Sequence, residues 1–277
     1  MGATLVVGDT HLKHELILPR VDAAIERCDA DRVVFLGDYC DEWGSTGRQL
    51  LAALELFAGW VEDTHAAGVR VDLLLGNHDF QSLMGEEGPG THVLLMDDVA
   101  ELLGALGATM AETVNGFLLT HAGLTAGWAR LHLEVPADAE EAKAQLNGLF
   151  ARGTWSDLRA LSSCGTGRGG WEEPGPLWAD RSELWEDAYP GISQIVGHTP
   201  VAACERMPPA SRWARADGGE ELWLCDTFSL TSRMRPIGDG GMLLVEDGRV
   251  AGAIGETKDG AHVLLRANKG VIMAAGD

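Results

Sequence analysis

The sequence predicts an α/β fold, because short apolar runs alternate with segments of helical period through its first half, the pattern of βαβ units. The runs are apolar at consecutive positions, as strands buried on both faces are. In order, strands are expected at TLVV (4–7), RVVFL (32–36), VDLLL (71–75), GFLLT (116–120), ISQIV (192–196) and ELWLC (221–225). Between the first two, Ile17, Val21, Ala24, Ile25 and Cys28 share one helical face; Leu50, Leu51, Leu54, Phe57 and Val61 do so between the second and third. Further helices are expected near 99–106 and 139–150. After Gly241, MLLVEDGRVAGAIG reads as a hairpin turning at Asp247-Gly248.

The stretch 153–190 changes character. It carries GTGRGG, EEPGP and four of the nine tryptophans, and reads as a long surface excursion: a lid or binding loop, or a poorly ordered insertion. No repeat and no proline-rich or serine-rich linker interrupts the chain. A single domain over 1–277 is therefore expected, with 153–190 as its insertion.

At 277 residues and 45% hydrophobic composition the chain can bury a large core. It has no apolar run of about 18 residues and no secretory-type start, so a cytoplasmic protein without a membrane partner is expected. Its five cysteines form no CxxC pair and read as reduced thiols. The formal charge of -21, without a basic run, excludes a phosphate-backbone binder; nucleic acid is not an expected partner.

Five of the six expected strands end in a polar group able to bind a metal: GDTH (8–11), GDYCD (37–41), GNHD (76–79), TH (120–121) and GH (197–198). Strand ends of neighbouring strands converge on one sheet edge. The candidate ligands are thus Asp9, His11, Asp38, Asn77, His121 and His198, a set of carboxylates, imidazoles and one amide oxygen suited to divalent cations. Gly8, Gly37, Gly76 and Gly197 precede these groups, which suits close backbone approach. Asp38 is the expected bridge between two ions roughly 3.5–4 Å apart, an arrangement that holds both oxygens of an in-line displacement at phosphorus. His78 is the candidate general acid, with Asp41 orienting it. Each motif alone is a weak signal; five in order, each directly after an apolar run, are not.

These motifs resemble the calcineurin-like metallophosphoesterase superfamily, whose order is GDxH, GDxxD, GNH[DE], H and GH. The resemblance runs from Gly8 to about Asp226 and is nearest to the phosphoprotein phosphatase branch and its bacterial relatives, through LTHAGL (119–124) and VGHTP (196–200). It implies a two-sheet β-sandwich flanked by helices, and two divalent ions: manganese first, with iron, zinc or nickel as alternatives. It further implies hydrolysis of phosphomonoesters or phosphodiesters, and the leading expectation is a phosphomonoesterase acting through a hydroxide that bridges the metals. The six ligands, His78 and Asp41 carry over position by position.

Three departures bear on the substrate. Glu42 stands where the protein phosphatases carry a phosphate-gripping arginine, Leu12 replaces the glycine of GDxHG, and Pro200 fills the place of the second histidine in the GHxH of nucleases. A replacement grip is sought at Arg181 in LWADR, with Asn77 also facing substrate, and Lys13 and Arg48 as weaker candidates. Trp43 either walls the pocket or packs under the next helix. The expected partner is a phosphorylated small molecule, nucleotide or phosphoprotein. The alternatives are a hydrolase of dinucleotide polyphosphates or cyclic nucleotides, and an inactive scaffold. His14, His65, His92, His132 and His262 read as surface or packing residues, and Asp226 as structural.

Overall fold

The computed structural model describes residues 2–207, 220–256 and 262–266. Its first sheet joins β1 (Ala3–Val7), β2 (Ala30–Phe35) and β3 (Arg70–Leu73) in parallel. The antiparallel strands β9 (Met242–Glu246), β10 (Arg249–Glu256) and β11 (His262–Arg266) extend it beyond β1, giving the order β11-β10-β9-β1-β2-β3. The second sheet runs β4-β5-β6-β8-β7, built from β4 (Ala111–Val114), β5 (Phe117–Thr120), β6 (Ser193–Pro200), β7 (Glu205–Met207) and β8 (Leu222–Asp226). β5, β6 and β8 are parallel, and the two edge strands antiparallel.

Strand alternation explains the layering. Val6, Val34 and Leu243 of the first sheet meet Leu119, Ile195 and Trp223 of the second in one buried cluster between the sheets. Their neighbours Leu5, Val7, Val33 and Phe35 face the other way, into a cluster with Ile17 and Val21 of α1 (His14–Cys28) and Leu54 and Phe57 of α2 (Gly47–Ala66). β1 and the second half of β2 are buried on both faces, so residues 5–7 and 33–35 read as unbroken apolar runs. Helix α2 starts on a capping box in which the Thr46 and Gln49 side chains satisfy each other's main-chain N–H groups. The result is an αββα arrangement, two mixed sheets flanked by helices. The hairpin at Asp247-Gly248 forms with both residues at positive φ (49° and 76°), as a tight turn between twisted strands requires.

Helices α3 (Asn77–Met84), α4 (Met96–Ala105), α5 (Ala126–His132) and α6 (Ala139–Arg152) complete the chain up to residue 152. The stretch 153–190, read from sequence as a surface excursion, is instead partly helical. It contains α7 (Trp155–Leu161) and α8 (Arg181–Asp187), and buries Leu161, Leu177 and Leu184. Trp171 and Trp155 stay exposed, so only part of its tryptophan content supports packing. Among the described residues no helix is long and apolar enough to cross a membrane. The His262 side chain lies outside the described residues.

Candidate metal centre

All five motifs meet at one edge of the two sheets. Asp9 and His11 follow β1, Asp38 follows β2 and Asn77 opens α3 just after β3; from the second sheet come His121, past the end of β5, and His198 within β6. His198 sits at a break in register between Val196 and Pro200, with φ 62°; a bulge of this kind re-aims a side chain out of the ladder. His11, Asp38 and Asp41 likewise have positive φ (40°, 56° and 68°). Such conformations cost free energy in a non-glycine residue and cluster at functional sites.

Glycine makes the close approach possible at two points. A Cβ on Gly76 would lie 2.0 Å from Asp38 Oδ1, and one on Gly197 would lie 2.2 Å from Asp9 Oδ1. The space a side chain would fill is occupied by the two carboxylates.

Asp38 Oδ2 lies 3.7 Å from His11 Nε2 and 3.6 Å from His121 Nε2, which makes it the oxygen shared by two halves of the site. Its Oδ1 accepts the His78 main-chain N–H at 3.0 Å. On one side stand Asp9 and His11. On the other, Asn77 Oδ1 is 2.8 Å from His121 Nε2 and 2.9 Å from His198 Nδ1, and the two imidazole nitrogens are 3.1 Å apart.

This second half tests whether a cation fits. His121 Nδ1–H donates to the Leu36 carbonyl at 2.8 Å, so its Nε2 carries a bare lone pair. Asn77 presents its carbonyl oxygen and Asp38 a carboxylate to the same spot. Burial pushes His121 down to about 4 and holds His198 well below its ordinary range, so both rings are neutral near pH 7. Lone pairs of His121 Nε2, Asn77 Oδ1 and Asp38 Oδ2 thus converge beside His198 Nδ1, a donor set that fits a divalent cation. His11 repeats the arrangement: its Nδ1 donates to the Asp41 carbonyl at 3.0 Å and leaves Nε2 toward Asp38. Such outer hydrogen bonds fix ring orientation in metal sites.

The carboxylates show the complementary strain. Burial, reinforced by Asp226 and Asp38, raises Asp9 well above the usual range. Burial also lifts Asp38 to about 6 and Asp226 to about 7. Asp9, Asp38 and His121 offer ligand atoms all within 4.8 Å of one another.

His78 Nδ1 lies 3.2 Å from Asp41 Oδ2, which Thr91 Oγ1 also approaches at 3.1 Å. Burial works against the imidazolium, but the charge of Asp38 and the bond to Asp41 raise His78 to about 9. Its ring stands edge-on to that of His11, centroids 5.4 Å apart.

The pocket over these groups has a volume of about 240 Å³, and Trp43, Arg168 and Trp178 form part of its wall. Trp43 is half exposed, so of its two expected placements the structure takes the pocket wall. Arg181 is not among the lining residues. It starts α8 and its guanidinium pairs with Glu205 at 2.7 Å. The arginine that does line the pocket is Arg168, held by Asp180 Oδ2 (3.1 Å from its Nε) and by Thr199 Oγ1, to which it donates at 2.7 Å. Sequence reasoning passed over Arg168; the available signal was an arginine between glycines in the segment joining His121 to His198. Glu42 also lines the pocket, paired with Lys13 Nζ at 2.6 Å. Asp226 is buried beside the site and accepts Ser229 N–H and O–H at 3.3 and 2.9 Å.

Asp79 closes the GNHD motif. Its carboxylate is fully buried and accepts main-chain N–H groups from Gly76, Asp38 and Tyr39 at 2.9, 2.6 and 2.9 Å, tying two ligand loops together.

The same edge geometry places the chain among known folds. A protein-tyrosine phosphatase of a psychrophilic Shewanella species has a similar structure, at 18% identity over 96% of this chain and 81% of that one, with a TM-score of 0.57. A protein serine/threonine phosphatase from Saccharomyces cerevisiae matches at 13% identity over 98% of this chain and 81% of that one, with a TM-score of 0.46. A comparison with curated proteins found no match. The family model described as calcineurin-like phosphoesterase matches residues 3–227, the span that carries every motif and strands β1 to β8. By that match the chain belongs to the calcineurin-like phosphoesterase family, dimetal-dependent hydrolases of phosphoric esters.

Proposed function

We propose that the chain is a phosphomonoesterase whose two divalent ions are held by Asp9, His11 and Asp38 on one side and by Asp38, Asn77, His121 and His198 on the other. The observation that carries the reading is the convergence of Asp38 Oδ2, Asn77 Oδ1, His121 Nε2 and His198 Nδ1 on one buried spot. When bound, the ions supply the positive charge that acidifies water and stabilises the phosphoryl oxygens. Manganese is the first expectation; iron, zinc and nickel share the same preference for imidazole and carboxylate. The five free cysteines fit a reducing, cytoplasmic setting.

The chain's own groups supply the rest. His78, protonated and oriented by Asp41, gives its proton to the leaving alcohol oxygen. Arg168 presents a guanidinium held in place by Asp180 and Thr199, and takes the phosphate-gripping role first sought at Arg181. Asn77, beside it, orients the phosphoryl group. The test is direct: the protein loaded with manganese should bind two ions per chain and hydrolyse an aryl phosphate, with Asp38→Ala losing both. Turnover by Asp38→Ala at the parent rate, or hydrolysis in the presence of a chelator, sinks the reading.

A further inference from the structure

Next to the metal pocket lies a second cavity of about 590 Å³. The two adjoin, and His11, Glu42, Trp43 and Leu230 line both. Its lining includes Leu16 of α1, Leu56 of α2 and Met234, which are 68%, 44% and 52% exposed. Three large side chains left in solvent along one groove are unexplained by packing.

The charges in this groove are Lys13, Glu15 and Glu42. Lys13 Nζ is 2.6 Å from Glu42 Oε2 and also donates to the His11 carbonyl at 3.1 Å, so its charge is already matched. Glu42 receives a further bond from Trp43 N–H at 2.8 Å. The groove's formal charge is therefore one negative, set by Glu15, and a second phosphate placed there would meet repulsion. The proton donor stands on the same side: His78 packs edge-on against His11, which lines both cavities.

We infer that this groove binds the leaving alcohol of the substrate, and that the alcohol is bulky, apolar and uncharged, with an aromatic ring as its best occupant against Trp43. The inference rests on the phosphomonoesterase reading and gives its substrate class. Leu16 and Leu56 are specificity-determining residues that touch neither metal nor phosphate. A dinucleotide polyphosphate, with several charges beyond the reacting phosphate, is a poor substrate.

The test compares phenyl phosphate with 4-phenylphenyl phosphate, esters of similar leaving-group acidity, and with a dinucleotide polyphosphate, all on manganese-loaded protein. The larger ester should show kcat/KM higher by about tenfold or more, the scale of added apolar contact in a pocket. Leu16→Glu and Leu56→Glu, both at exposed positions, should abolish that preference, lowering kcat/KM for 4-phenylphenyl phosphate about tenfold more than for phenyl phosphate. Equal kcat/KM for the two aryl esters, equal losses on both in the variants, or preference for the dinucleotide overturns the inference. Failure of the phosphomonoesterase reading looks different: none of the esters is turned over. Binding of 4-phenylphenol then decides for the groove on its own. Saturable quenching of tryptophan fluorescence, weakened in Leu16→Glu, upholds it, and no saturable quenching overturns it.

Discussion

Asp79 Oδ2 accepts the main-chain N–H of Asp38 at 2.6 Å, although Asp79 contributes no ligand atom of its own. The same oxygen accepts from Gly76, and Oδ1 from Tyr39. One carboxylate therefore sets the distance between the loop bearing Asp38 and the helix start bearing Asn77. Asp79→Asn keeps the volume and removes one acceptor oxygen. It should weaken manganese binding by about 10- to 100-fold, the usual cost of losing an outer partner in a metal site. Calorimetric titration checks this, and activity should return at high manganese. Unchanged affinity would show that the loops are held by other contacts.

His78 gives a prediction in pH. Its ring is raised to about 9 by Asp38 and Asp41 in spite of burial, so it holds its proton below that value and loses it above. The group acts in its protonated form, so kcat should fall as pH rises. Dications on Asp38 take up part of the negative charge that supports the imidazolium, which places the alkaline limb at or below about 9. His78→Asn should lose the limb and cost about 10²- to 10³-fold on an alkyl phosphate, whose leaving oxygen needs the proton. With a nitrophenyl ester the loss should be much smaller. An equal loss on both esters would remove His78 from the role of acid.

These two residues also mark what was legible in the sequence. The gathering of the candidate ligands at one edge could be read because they sit at or near the ends of largely apolar strands, so local pattern and position in the sheet agree. His78 and Asp41 came with the same motifs. Asp79 could not be read as an anchor, because its partners lie about forty residues away, on the Asp38 loop, and are main-chain atoms that leave no mark in composition. The helix opening at Asn77 was equally hidden, being eight residues long and capped by glycine. Edge strands such as β4 and β7, at four and three residues, carry too little periodicity to stand out.

Arg168 and Arg181 of the 153–190 segment separate by the same reasoning. Arg181 belongs to LWADR, whose tryptophan does reach the pocket, yet it turns outward because it opens α8 and meets Glu205. Arg168→Ala should raise KM for a phosphomonoester by about 10- to 100-fold, the range of a lost charge-assisted hydrogen bond. Arg181→Ala should leave kcat and KM within about twofold, as expected for a pair exposed at the surface. Steady-state kinetics on both variants checks the assignment, and the reverse pattern would restore Arg181 as the grip.

Asp226 tests the electrostatic strain of the site without catalysis. Burial, with help from Asp38, raises its carboxyl to about 7 against the hydrogen bonds from Ser229, whereas in an unfolded chain it titrates near about 4. Below both values each state holds the proton and the folded protein gains the full benefit. Between them the unfolded chain releases the proton and the folded one retains it, so stability declines as pH rises; the decline is complete above about 7. Asp226→Asn removes this ionisation and leaves every other titrating group in place, including the buried neutral histidines, whose contributions run in the opposite direction. In the presence of a chelator, the melting temperature of Asp226→Asn relative to the parent should therefore climb between pH 5 and pH 8. Manganese should narrow the gap at pH 8, because bound dications offset the charge of Asp9 and Asp38 that faces Asp226. A gap that stays constant with pH would mean that Asp226 is ionised throughout, and that Ser229 outweighs its burial.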